Sequence, residues 1–115
     1  MTTTSLPAAK TARIRELNDQ FRRTFRGGTV VHTAGIAALP SAVKSTIHDH
    51  VRHFDAFDAD NDPWGEHDSG QFDHEGVTIL WKIDYYDPSL TWLSEDPADP
   101  RQTARMLTIM RAEEY

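Results

Sequence analysis

Hydrophobic positions along the chain repeat with two different periods, and the order of the repeats sets the fold. After Thr11, which reads as an N-cap, Ile14, Leu17, Phe21 and Phe25 recur every three or four residues, the mark of one apolar helical face. Gly27-Gly28 reads as the helix stop, because glycine accepts left-handed backbone angles. Residues 1–10, small and polar, read as a disordered N-terminus. The β-branched run Thr29–Thr33 predicts a short strand. Pro40-Ser41 opens a second helix with Val43, Ile47, Val51 and Phe54 on its apolar face. An Asp-rich loop runs from Asp58 to Gly70, and residues 71–86 predict a hairpin turning at His74-Glu75-Gly76. Its second strand has the sharpest alternation in the chain: Val77, Ile79, Trp81, Ile83 and Tyr85 against Thr78, Leu80, Lys82, Asp84 and Tyr86. Residues 87–103 form a proline-punctuated loop, and Ala104–Ala112 reads as a last strand. Four of the six prolines follow an aspartate, a pairing that disfavours helix and favours turns.

The order α-β-α-β-β-β predicts an α+β fold: a mainly antiparallel sheet of about four strands with two helices on one face. Residues 11–115 are expected to form a single domain, which suits a chain of 115 residues. The chain has no cysteine, which excludes disulfides, thiol catalysis and cysteine-based zinc sites. No apolar run approaches the roughly 18 residues of a membrane span, and the N-terminus lacks the pattern of a secretory signal. The expectation is a soluble, cytoplasmic protein.

The net charge of −6 hides a split. Residues 1–53 carry a net +5, residues 54–100 a net −12, and residues 101–115 a net +1. Two readings compete: the halves neutralise each other in the fold, or an acidic surface attracts a basic partner or a metal. The acidic density peaks between Asp58 and Asp68. Asp58, Asp60 and Asp62 match positions one, three and five of a calcium-binding EF-hand loop, but Pro63 stands where glycine is needed and Ser69 where a bidentate glutamate is needed. Glu66, His67 and Asp68 remain candidate ligands for a divalent metal such as Mg or Mn. Against that stands a loop that caps its own backbone, with Lys82, Arg101 and Arg105 as candidate neutralising cations.

Two smaller clusters stand out. His48, His50 and His53 lie on the second helix without the spacing of a zinc motif, so ordinary surface histidines are the plainer reading. Lys82 and Asp84 share a strand face and read as a structural ion pair; buried beside the acidic loop, with His32 and Thr33, they would be catalytic candidates. Walker A, dinucleotide-binding and nucleophile-elbow patterns are absent, and the arginines of one helix in an acidic chain are weak evidence for direct nucleic-acid binding.

Three separate motifs carry a family resemblance: Asn61-Asp-Pro-Trp-Gly-Glu-His-Asp68, Trp81-Lys-Ile-Asp-Tyr-Tyr-Asp87, and Asp96-Pro-Ala-Asp-Pro100 followed by Thr103-x-Arg105-Met-Leu-Thr-Ile-Met110. With Arg15-Glu-Leu-Asn-Asp-Gln-Phe21 and Thr33-Ala-Gly-Ile36, the chain resembles the bacterial domain-of-unknown-function family numbered 3768 over about residues 12–115. Ser69 departs from it, where a large aromatic is expected. The resemblance implies no activity. It implies a habitat on plasmids, phages and other mobile elements, often near anti-restriction genes.

Three readings follow. The leading one is a counter-defence inhibitor, of the anti-CRISPR or anti-restriction type, whose Asp58, Asp60, Asp62, Trp64, Glu66, His67 and Asp68 bind the basic surface of a nucleic-acid-binding host defence protein. The second is a small metal-assisted hydrolase or nuclease using the Asn61–Asp68 loop. The third is a small-molecule binding module built on Trp64, Trp81 and Tyr85.

Overall fold

The computed structural model describes residues 6–115. Its sheet is organised around β3 (Val77–Tyr86), the strand with the sharpest alternation. β2 (Ser69–His74) pairs with it antiparallel across a two-residue turn, in which Glu75 and Gly76 both take positive φ (49° and 83°). That left-handed geometry matches the twist of a tight hairpin. On its other side β3 pairs antiparallel with β4 (Ala104–Arg111), and β1 (Gly28–His32) adds to β4 in parallel. The strand order is β1-β4-β3-β2. The sheet is therefore mixed, with two antiparallel pairings and one parallel.

Register places Val30, Leu107 and Ile83 in one row and Trp81 between Ile109 and Gly70 in the next. These side chains face the helices α1 (Leu6–Thr24), α2 (Ala34–Ala37) and α3 (Ser41–His53). Phe21, Ile36, Ile47 and Val51 close on Ile79, Trp81, Ile83, Leu107 and Ile109 to form the core. Gly70 is glycine for a reason of space: a Cβ there would stand 2.7 Å from the Phe54 ring and from the Trp81 indole nitrogen. The opposite face of the sheet carries Leu80, Lys82, Asp84, Met106, Thr108 and Met110. Lys82 and Asp84 pair there at 3.0 Å with side chains 41% and 32% exposed, a structural ion pair on the open face.

Several expectations change at the ends of elements. The first helix starts at Leu6, so residues 6–10 are helical; the rest of the expected disordered tail lies outside the described residues. Thr11 is inside the helix, its hydroxyl donating back to Pro7 O. The helix ends at Thr24, before the glycine pair, because Phe25 itself takes the left-handed angle (φ 58°) and donates to Phe21 O. α2 is a helix the periodicity does not reveal, since four residues hold barely one turn. A 3₁₀ turn, Ala112–Glu114, closes the described chain. No helix among the described residues is long and apolar enough to cross a membrane.

The phase of α1 also differs. Ile14 and Leu17 are half-buried, while Asn18, Phe21 and Arg22 are buried completely or nearly so. The helix thus sets two polar side chains against the core: Asn18 bonds to the acidic loop, and Arg22 to the end of α3 and to Asp19.

Candidate functional site

The acidic loop has an outer half that faces solvent and an inner half that turns back onto α1. In the outer half the loop caps itself. Asp58 Oδ1 accepts from the Asp60 and Asn61 amides at 2.8 and 2.9 Å, while Asn61 returns a bond to Ala56 O and accepts one from the Asp58 amide. Asp58, Asp60 and Trp64 project outward, Trp64 with 80% of its surface exposed.

Gly65 (φ 70°) and His67 (φ 54°) then reverse the backbone and bring its carbonyls to the helix. Arg15 Nη1 donates to Gly65 O at 2.9 Å, and Asn18 Nδ2 donates to Glu66 O at 3.0 Å. Tyr85, reaching in from β3, accepts from Asn18 Nδ2 (2.8 Å) and donates to Glu66 Oε1 (2.7 Å). Burial, followed by that bond to Glu66, pushes the Tyr85 phenol far up, so it stays a neutral donor. Arg105 on β4 completes the chain by donating from Nε to Asn18 Oδ1 at 2.8 Å.

His67 is held on every side. Its ring stacks on Phe57 with centroids 3.8 Å apart and planes within 5°. Its Nδ1 stands 2.9 Å from Asp19 Oδ1, and a carboxylate can only accept, so Nδ1 carries the hydrogen. Asp19 Oδ1 also accepts from Arg22 Nη2 at 3.2 Å. Asp62, its side chain 6% exposed, accepts from the His67 amide at 3.2 Å and places its other oxygen 3.6 Å from Nε2. Asp68 ties the end of the loop to the sheet, its carbonyl accepting from the Ile83 amide at 2.7 Å. Burial raises the Asp68 carboxyl above its ordinary range, and the nearby Glu66, Asp62 and Asp84 carboxylates add to it.

The seven candidate residues therefore split. Asp58, Asp60 and Trp64 form an outward tip. Asp62 bonds to His67 and His67 to Asp19, Glu66 bonds to Tyr85, and Asp68 is set against the sheet. Among the described residues no group of three or more His, Cys, Asp or Glu side chains is placed to hold a metal ion. Tyr85 is tied to Asn18 and Glu66, Trp81 lies in the core at 1% exposure, and Trp64 points outward, so the three aromatics do not line one cavity. The neutralising cations are not the expected Lys82 and Arg101, which pair with Asp84 and Asp99. Arg105, the third expected cation, bonds to Asn18 and Pro97 O, and from α1 Arg15 bonds to the Gly65 carbonyl while Arg22 pairs with Asp19, whose carboxylate in turn holds His67. The signal for this was available: Asn18, Asp19 and Arg22 interrupt an apolar stripe at helical spacing.

The histidine clusters sit elsewhere. His48 Nε2 faces His32 Nε2 at 2.8 Å, the rings stacked with centroids 5.0 Å apart, so one proton bridges two imidazoles. Burial lowers the affinity of both for a second proton; Lys44 adds to this at His32, and His32 and Arg52 add to it at His48. Thr33 bonds to Glu114 and Ile109 O, so neither it nor His32 joins Lys82 and Asp84. His50 stacks on Phe72, and His53 bonds to Asp49 O.

A four-stranded mixed sheet, helices on one face and an acidic loop clamped to the first helix define the class: a small α+β domain that presents a fixed loop. The chain belongs to the family described as a protein of unknown function, DUF3768, whose model matches residues 32–114. No curated protein and no solved structure matches the chain.

Proposed function

We propose that this is a binding protein, a counter-defence inhibitor of the anti-restriction or anti-CRISPR type, that docks on the basic surface of a host nucleic-acid-binding effector. The observation that carries the docking mode is the exposed Trp64, flanked by the exposed carboxylates of Asp58 and Asp60, on a loop whose other half is locked to α1. An exposed tryptophan on a rigid support is the residue type that dominates interface energies, and a loop already ordered loses little entropy on binding. Carboxylates around it select a basic partner and speed its encounter. The defence-effector class rests on the habitat that the family resemblance implies, together with the net −12 of residues 54–100.

The test is affinity capture from lysate of a proteobacterial host, comparing the native protein with the Asp58→Lys, Asp60→Lys, Trp64→Ala variant. The expected result is a stoichiometric nucleic-acid-binding partner that is lost in the variant and weakened at high salt. Equal capture by the variant, or a partner indifferent to salt, overturns the reading.

A further inference from the structure

A cleft of about 570 Å³ lies between α1 and the approach to β4, away from the acidic loop's tip. Its charged lining is entirely cationic: Arg13 and Arg26 from the helix side and Arg105 from the strand, with no Asp or Glu among the lining residues. We propose that this cleft is a binding site for an organic phosphate monoester of mononucleotide size.

Arg105 carries the argument. It is 4% exposed and forms no salt bridge among the described residues. Its Nε and Nη2 are spent on neutral acceptors, Asn18 Oδ1 and Pro97 O, and its guanidinium lies 5.2 Å from the centroid of the Tyr85 ring. Nη1 donates no hydrogen bond among the described residues. The Glu66 carboxylate, the acidic group whose field reaches Arg105, is bonded to the Tyr85 hydroxyl instead. Burying a guanidinium without a counter-ion costs free energy, and a bound anion removes that cost. Arg26 has no side-chain partner among the described residues, and Arg13 holds only an exposed pair with Glu16, the kind of contact that opens at little cost.

Helix-terminal arginines often serve the helix dipole, and that explains the exposed Arg23 in the last turn. It does not explain Arg105, which arrives from another element. Three guanidiniums suit a dianion with several oxygens: Arg13 and Arg26 can present paired donors to phosphate geometry, and Arg105 adds its Nη1. The rest of the lining is half apolar, with Leu17, Phe21 and Pro100, which suits a ring or base attached to the phosphate. The volume falls within the range of small-molecule sites.

The test is calorimetric titration of the full chain with adenosine 5′-monophosphate, inorganic phosphate and adenosine, repeated on Arg13→Gln, Arg26→Gln. Both substitutions are at the surface, so the fold survives them and melting curves verify it. The expected result is binding of the monophosphate, weaker binding of phosphate, no binding of adenosine, and at least a tenfold loss of affinity in the double variant. No binding of the monophosphate, equal binding of adenosine, or affinity unchanged in the variant overturns the proposal. Phosphate binding as tightly as the monophosphate overturns the role given to the apolar wall.

Discussion

Replacing Asn18 by alanine tests how the loop is held. Asn18 is fully buried and joins three elements: it donates to Glu66 O and Tyr85 OH and accepts from Arg105 Nε. Tyr85 keeps its bond to Glu66 after the substitution, so that loss is small. Glu66 O loses a neutral bond of about 1 kcal/mol. Arg105 Nε, charged and buried, loses an acceptor worth about 1.5–3 kcal/mol. The small cavity left behind adds to this, so the total is about 3–5 kcal/mol. For a chain of this size that corresponds to a fall in Tm of roughly 10–20 °C. Thermal melts followed by far-ultraviolet circular dichroism at neutral pH, with urea titrations to obtain the free energy, provide the measurement. A loss under about 1 kcal/mol would show that water replaces the asparagine and that the loop is not clamped as described.

Further predictions follow from the same contacts. Asp68→Asn raises the melting temperature at neutral pH, because it removes a half-buried carboxylate crowded by Glu66, Asp62 and Asp84; a lower Tm contradicts this. The His32–His48 pair makes stability pH-dependent: with both groups lowered in the fold from 6.5, their contribution is complete above that pH and is lost as pH falls below it. Urea titrations between pH 5 and 7 on the native protein and His48→Gln check this, and the variant should show the smaller slope. Gly28→Ala forces a Cβ to 2.5 Å from Arg105 O and 2.7 Å from the Phe21 ring, so it should cost about 1–3 kcal/mol by the same urea assay.

The sequence discloses some elements and conceals others for physical reasons. α3 and β3 are legible because their apolar positions have one consistent partner surface, so periodicity and burial coincide. α1 is misread in phase because its core-facing positions include Asn18 and Arg22, which a hydrophobic pattern assigns to solvent. Their burial depends on acceptors that come from distant positions: Glu66 O for Asn18, and Val51 O and Arg52 O for Arg22. The parallel pairing of β1 with β4 leaves no local trace, because it joins segments at opposite ends of the fold's sequence. The composition marks residues 58–68 as a site but not its division, since aspartate serves equally as a self-cap at Asp58 and as a buried acceptor at Asp62. Only the reversal at Gly65 and His67 decides which side chains turn inward.

The inner half of the acidic loop is locked, so that Trp64 and its flanking carboxylates are presented in one arrangement. Amide hydrogen exchange of the free protein, resolved by NMR, tests it most directly. Slow exchange is expected at His67, whose amide bonds to Asp62 Oδ1, at Gly65, which bonds to Asp62 O, and at Ile83, which bonds to Asp68 O, and fast exchange at the Trp64 amide, which has no hydrogen bond among the described residues. Exchange at His67 and Gly65 as fast as in an unstructured peptide would contradict it.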